Sequence, residues 1–156
     1  MDLKAVEIVE VENELEETMS LNHSRLTFRL SYLLASYDDE FDIMPELELE
    51  LLTGRAKPDI SIFPNLNYNW EEDIIRFTQS PICAIEILSP TQAFDELTTK
   101  IRKIYFPAGV QSAWIVVPSI QTIHVFTPDR QVISYSEGKL EDAVTKISLP
   151  LSEIFR

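Results

Sequence analysis

Two acidic residues stand within or directly before apolar segments of the sequence. Glu86 interrupts the apolar run 82–88, and Asp59 follows Pro58 just before the short apolar run 60–63. A lone buried carboxylate is costly unless it is paired or binds a metal. Two carboxylates that face each other across neighbouring strands form a hard-oxygen site suited to Mg²⁺. This pair therefore indicates metal-assisted phosphodiester hydrolysis.

A structural interpretation exists for each acid when it is taken alone. Glu86 can be a strand-end carboxylate that is capped near Ser89 or paired with an arginine. Asp59 can be a turn residue that hydrogen-bonds its own backbone. The residue types and their spacing leave both interpretations open.

The elements that must position these acids are predicted from hydrophobic periodicity. Apolar residues at three- and four-residue spacing predict a first helix that begins near Asn22 and ends at 37–40. Alternating Leu and Glu in PELELELL, from Pro45, predict a strand with one acidic face. A second helix is predicted over 94–108, with Gly109 as its stop signal. Further strands are predicted at 60–63, 82–88, 112–117 and 122–127, and a strand-turn pair over 132–140 with Gly138 at the turn.

The second helix is predicted to cross between the strands at 82–88 and 112–117, as in a right-handed βαβ unit. We therefore expect an α/β (α+β) fold with a mixed β-sheet flanked by helices. We expect a single domain over 1–156, with residues 1–20 as an acidic N-terminal strand or arm.

Composition and charge restrict the class of protein. The chain has 156 residues and one cysteine, Cys83, which excludes an intramolecular disulfide and a cysteine zinc site. No apolar window reaches membrane-spanning length and no signal peptide is evident, so a cytoplasmic protein without membrane contact is expected. The net charge is −13, of which residues 1–50 carry −11 (14 acids, 3 bases) and residues 51–156 carry −2 (12 acids, 10 bases). This charge opposes non-specific association with DNA.

The ordered residues of several segments resemble the PD-(D/E)xK nuclease superfamily, and most closely its restriction-endonuclease branch known as domain of unknown function 820. The matching residues are Pro58-Asp59, Glu86-Ile87-Leu88-Ser89-Pro90, Lys100, Tyr105, Gly109-Val110 and Trp114-Ile115-Val116. The resemblance covers roughly residues 20–156 and implies that the mixed β-sheet flanked by helices is restriction-endonuclease-like. It implies a site in which Asp59, Glu86 and the carbonyl of Ile87 bind Mg²⁺ or Mn²⁺. It also suggests Glu46 as an outer carboxylate and His23 as a site residue. Without the resemblance, Glu46 belongs to a solvated acidic strand face and His23 hydrogen-bonds the backbone at the helix start.

The catalytic lysine is the main departure from the superfamily pattern. The superfamily places a lysine two residues after the glutamate, where this chain has Leu88. The branch carries the lysine on the following helix instead. Lys100 lies at the border of that helix's apolar stripe and is the candidate, although it can also be an ordinary surface lysine, whereas Lys103 is expected to face solvent. Compared with the branch, one extra residue separates Lys100 from Tyr105, and a shift in helix register there would turn Lys100 away.

The resulting prediction is a metal-dependent endonuclease that hydrolyses DNA phosphodiester bonds, with Asp59, Glu86 and Lys100 as catalytic residues. The alternative is a nuclease fold retained as a binding or assembly module without turnover. DNA is the expected substrate, and a homodimer is expected because many nucleases of this kind cut two strands as dimers. Tyr105 and Trp114 are expected to be core residues.

Overall fold

A computed structural model describes residues 19–156 of the chain, and the acidic arm predicted for the N-terminus lies mostly outside the described residues. Helix α1 begins one residue before the predicted N-cap. Ser20, and not Asn22, is the N-cap: its Oγ accepts a hydrogen bond from the backbone N–H of His23 at 3.2 Å. Serine and asparagine are equally suited to this position, because the side-chain oxygen of either residue can accept a hydrogen bond from a free N–H at the start of a helix.

The architecture is a six-stranded mixed sheet with helices on both faces, which confirms the predicted α+β fold. Its strand order is β1-β4-β5-β6-β7-β8, in which β5 and β6 are parallel and the other neighbours are antiparallel. The helices are α1 (Leu21–Leu34), α2 (Phe94–Lys100) and α3 (Leu151–Ile154). The strands are β1 (Phe41–Pro45), β2 (Leu49–Leu51), β3 (Gly54–Ala56), β4 (Ile60–Pro64), β5 (Cys83–Ile87), β6 (Ser112–Val117), β7 (Thr122–Phe126), β8 (Val132–Tyr135), β9 (Lys139–Glu141) and β10 (Ser148–Pro150).

The strand that carries Glu86 lies in the interior of the sheet. All five residues of β5 are buried, because β4 and β6 flank it and helices cover both faces. Such strands are near-continuously hydrophobic, as this one is apart from its acid. The parallel pairing of β5 with β6 confirms that the predicted second helix is the crossover between them.

Two hydrophobic clusters, one on each face of the sheet, hold these elements together. One joins α1 and α3 to the sheet through residues that include Leu30, Ile85 and Ile154. The other joins α2 and the turn after it to the sheet through residues that include Leu97 and Ile115. Glu86 projects toward the second cluster, because alternate residues of a strand point to opposite faces.

The predicted strand over PELELELL is mostly wrong. Apart from Pro45, which ends β1, only Leu49–Leu51 forms a strand, and it pairs with β3 in a separate two-stranded sheet. Glu46 has φ = 52°, a left-handed conformation that a continuous strand does not accommodate. The alternation of Leu and Glu therefore begins closer to the N-terminus than the strand itself does.

The strand and the turn predicted over residues 132–140 are both present. Gly138 does occupy the turn, with φ = 69°. However, β8 pairs with β7 in the large sheet, whereas β9 pairs with β10 in another two-stranded sheet. Short strands have no local signal for their partner, because pairing depends on contacts far along the chain.

The second helix is not one continuous α-helix. It is α-helical only to Lys100, continues as a π-helical turn over Ile101–Tyr105 and ends with a 3₁₀ turn over Phe106–Ala108. Gly109 then stops it in the left-handed conformation, as predicted, with φ = 103°. Within the part of the chain that the structure describes, no helix combines the length and the apolar character needed to cross a membrane.

Candidate active site

The two acids of the predicted pair lie opposite each other at one end of β4 and β5. In this antiparallel pair Ile60 is the partner of Ile85. Continuing the register by one residue brings Asp59 opposite Glu86, so that their side chains project from the same face of the sheet. The short connection from β3 to β4, which contains Asp59, and the strand that contains Glu86 therefore position both carboxylates together.

Asp59 is held by two side-chain hydrogen bonds from distant parts of the chain. Its Oδ1 lies 3.0 Å from Nε2 of His23 on α1, and its Oδ2 accepts the backbone N–H of Ile87 at 2.6 Å. The backbone N–H of Glu46 also donates to the Asp59 carbonyl, at 3.0 Å. The carboxylate thus does not bond its own backbone, which removes the turn interpretation.

His23 is part of this site and not merely a residue at a helix start. It is buried, and its pKa is raised chiefly by the hydrogen bond to Asp59, while burial acts in the opposite direction. The acidic charges of Glu46 and Glu86 raise the pKa further. Its second ring nitrogen, Nδ1, is buried and has no hydrogen-bond partner among residues 19–156.

Glu86 is almost completely buried, with 4% of its surface exposed. Burial is the largest cause that raises the pKa of this carboxyl, to about 7. The charge of Lys100 opposes this increase, the charge of Asp59 adds to it, and a hydrogen bond from Tyr105 opposes it. No arginine pairs with Glu86 among the described residues, so that alternative for Glu86 is wrong.

Lys100 reaches the site, and Lys103 does not. Nζ of Lys100 lies 3.5 Å from Oε1 of Glu86, and its side chain keeps about a third of its surface exposed (31%). Lys103 is exposed, as expected from the helix geometry. Leu88 lies partly buried against the cluster below α2. A lysine from the crossover helix therefore stands beside the carboxylate, in place of a lysine from the strand.

Tyr105 is a core residue, as predicted, and it also makes a polar contact with Glu86 that the sequence does not indicate. Its ring is fully buried in the second cluster, but its hydroxyl donates a short hydrogen bond to Oε1 of Glu86. Burial, followed by the Glu86 charge, raises the pKa of Tyr105 well above its ordinary value. The extra residue between Lys100 and Tyr105 was the sequence signal that could have drawn attention to this side chain.

Two further predicted residues have a less direct place in the site. Glu46 is exposed and contributes its backbone N–H and its charge, but its carboxylate does not join a cluster with the other acids. Among residues 19–156, no group of three or more His, Cys, Asp or Glu side chains could hold a metal ion. Ile87 follows Glu86 directly and donates its N–H to Asp59, and its carbonyl as a ligand stays a prediction.

The donor set nevertheless fits a divalent cation. Each oxygen of a carboxylate can accept about two hydrogen bonds, so Asp59 keeps acceptor capacity after its contacts with His23 and Ile87. The raised pKa of Glu86 shows that the Lys100 ammonium and the Tyr105 hydroxyl do not compensate its buried charge fully. Hard oxygen ligands with excess negative charge are those that Mg²⁺ prefers.

Comparison with known proteins agrees with this description of the fold. A solved structure from Anabaena variabilis ATCC 29413, described as a putative nuclease belonging to DUF820, matches with a TM-score of 0.76 and 22% sequence identity. The match covers 88% of this chain and 82% of that chain, and at this identity it supports the shared fold. No curated protein matches. The model of the Uma2 family, whose description is "Putative restriction endonuclease", matches residues 2–153, and the protein therefore belongs to this family.

Proposed function

We propose that the protein is a Mg²⁺-dependent endonuclease that hydrolyses phosphodiester bonds of DNA. The observation that carries this proposal is the convergence of Asp59, Glu86 and Lys100 at one end of β4 and β5, although the usual lysine position is Leu88. Membership of a family described as restriction endonucleases is consistent with a nucleic-acid substrate.

Each residue of the site has a separate role in the proposed reaction. Asp59 and Glu86, with the carbonyl of Ile87, would hold the cation, which when bound polarises the scissile phosphate and lowers the pKa of a water molecule. Lys100 orients or deprotonates the attacking water and offsets negative charge on the phosphate. Its partial exposure lets the ammonium reach a phosphate that approaches from solvent. His23 keeps the Asp59 carboxylate in a fixed orientation.

The experiment that tests this function measures nicking of supercoiled plasmid with Mg²⁺ or Mn²⁺. We expect Asp59→Ala and Glu86→Gln to abolish nicking, and Lys100→Ala to reduce its rate by at least about 100-fold, as for loss of a general acid–base group. Lys103→Ala is the matched control, because it removes an exposed lysine from the same helix. Undiminished nicking by both acid variants would refute the assignment.

A second candidate function, a binding or assembly module without turnover, is favoured by Leu88 and by the net charge of −13. A strongly acidic protein repels DNA at long range. The two candidates differ in a simple titration of Mn²⁺ followed by thermal unfolding and by nicking. An increase in Tm that depends on Asp59 and Glu86, without cleavage of single-stranded, double-stranded or supercoiled DNA, would identify the module.

The proposal includes a homodimer in the cytoplasm, since a single site cuts one strand at a time. Sedimentation equilibrium, with and without DNA, measures this directly. A mass of about 36 kDa, twice the 18.0 kDa of the chain, is expected for the dimer. If the protein contributes a mass of only 18.0 kDa, both alone and when bound to a DNA that it cleaves, the dimer would be removed from the proposal.

A further inference from the structure

The crossover segment changes its helical geometry directly after Lys100. The N–H of Ile101 still bonds to the carbonyl of Leu97, four residues before it, as in an α-helix. The N–H of Phe106 instead bonds to the carbonyl of Ile101, five residues before it. One turn of the segment therefore contains an additional residue.

This turn determines which side chains point to the same side. At about 100° per residue, two residues five apart in an α-helix lie about 140° apart around the axis. In a π-helical turn, residues five apart lie close to one above the other, because the hydrogen bonds join i to i+5. Lys100 and Tyr105 are five residues apart, and both reach Oε1 of Glu86. A regular α-helix would have turned one of the two away from this carboxylate.

We propose that the π-helical turn serves the site by absorbing one residue, and that Tyr105 is the positioning residue that it presents to Glu86. This inference rests on the proposed function. With the Tyr105 hydroxyl and the Lys100 ammonium both at Oε1, the carboxylate is fixed in one orientation, and Oε2 is left to bind a cation. Tyr105 thus acts on catalysis through Glu86.

Packing alone gives no reason for either feature. Tyr105 is fully buried, and a phenylalanine would fill the same space without a hydroxyl that must find a partner. A π-helical turn is rare, occurs mostly as a single turn within an α-helix, and is frequent at functional sites. Both features are explained if the buried ring supports the segment while the hydroxyl holds Glu86.

The first test compares Tyr105→Phe with Tyr37→Phe. The control also removes a tyrosine hydroxyl that is hydrogen-bonded, to the Ser148 carbonyl, but Tyr37 packs on the opposite face of the sheet from Glu86. We expect Tyr105→Phe to weaken Mn²⁺ binding, measured by calorimetry, by about 10-fold, and to lower kcat by about 10- to 100-fold with KM for DNA unchanged. Tyr37→Phe should leave all three values within about twofold. Unchanged Mn²⁺ affinity and kcat in Tyr105→Phe would overturn the positioning role.

The second test deletes Lys103, which is exposed and lies within the π-helical turn. The deletion brings Lys100 and Tyr105 to a separation of four residues, at which an α-helix places them on the same face. We therefore expect Mn²⁺ affinity and nicking rate within about threefold of wild type, with an unchanged or higher Tm. Insertion of one alanine after Lys103 should instead weaken Mn²⁺ binding by at least about 10-fold. Loss of Mn²⁺ binding in a folded deletion variant would overturn the role of the turn.

The calorimetry separates this inference from the proposed function. If the wild-type protein binds Mn²⁺ but cleaves no DNA, the nuclease assignment fails, and the 10-fold effect of Tyr105→Phe on affinity still supports the positioning role. If the wild-type protein neither binds Mn²⁺ nor cleaves DNA, both are overturned.

Discussion

Glu86→Gln is expected to make the metal-free protein more stable while it destroys the site. The Glu86 carboxyl is buried, and its pKa is raised from the ordinary 4.5 to about 7. This difference is equivalent to about 3 kcal/mol of free energy that the folded state loses when the group is ionised, at about 1.36 kcal/mol per pH unit. A neutral amide of almost the same shape does not have this cost.

The sign of the effect depends on pH. Below pH 4.5 the carboxyl is protonated in both the folded and the unfolded protein, so wild type and variant differ little. Between pH 4.5 and about 7 the folded protein keeps a proton that the unfolded chain releases, and the stability of wild type falls as pH rises. Above about pH 7 the whole cost is present. Glu86→Gln should therefore be more stable by about 3 kcal/mol at pH 8 and close to wild type at pH 4.5.

Urea unfolding in the presence of EDTA at pH 8, 6 and 4.5 measures this difference. In thermal unfolding at pH 8, the same stabilisation corresponds to an increase in Tm of roughly 6 to 12 °C for a chain of this size. Glu48→Gln is the matched control, because Glu48 is an exposed carboxylate and its replacement should change stability little at any of these pH values. A Glu86→Gln variant that is less stable than wild type at pH 8, or equally shifted at all three pH values, would refute the reasoning.

Three further changes test other parts of the structure. His23→Gln should destabilise the protein more at pH 6 than at pH 8.5, because the raised pKa of His23 gives stability that is lost as pH rises. Equal decreases in the free energy of unfolding at the two pH values, measured with urea, would contradict this. Asp142→Asn should lower the free energy of unfolding by about 2–3 kcal/mol, because Oδ2 of Asp142 accepts hydrogen bonds from the Ser112 hydroxyl and the Trp114 indole, both at 2.7 Å. Asp38→Asn is the control at an exposed position and should change stability little, so similar urea midpoints for the two variants would refute the prediction. Gly109→Ala should cost about 1–2 kcal/mol because φ is 103°, and a Tm equal to wild type would argue against that strain.

Local sequence patterns were sufficient to predict five of the six strands of the large sheet, but not its edge strand β1. The apolar run around Glu86, the crossover helix and the stop at Gly109 all follow from short-range hydrophobicity and backbone preference, and the structure contains each of them. The strand predicted over PELELELL failed because alternation describes a surface and does not specify a partner. Glu46 adopts a left-handed conformation there, which its sequence neighbours do not indicate.

The pair Asp59 and Glu86 could be chosen from the sequence because a carboxylate beside buried strands needs a physical reason. Their opposition across β4 and β5 depends on the register between residues far apart in the chain, which only the tertiary structure provides. The same holds for His23, whose partner Asp59 is 36 residues away in the chain. Long-range contacts of this kind leave no periodicity in the sequence.

The sequence by itself determined the fold class, the two acids and the choice of Lys100 over Lys103, because these depend on burial and on the angle between residues of one helix. It could not determine whether Lys100 and Tyr105 reach the same carboxylate. That outcome depends on the π-helical turn over Ile101–Tyr105 and on the contacts of Lys100 and Tyr105 with Glu86, which lies on another element of the fold. Helix propensity acts within one segment and does not specify contacts with a distant strand, so only the tertiary structure decided them.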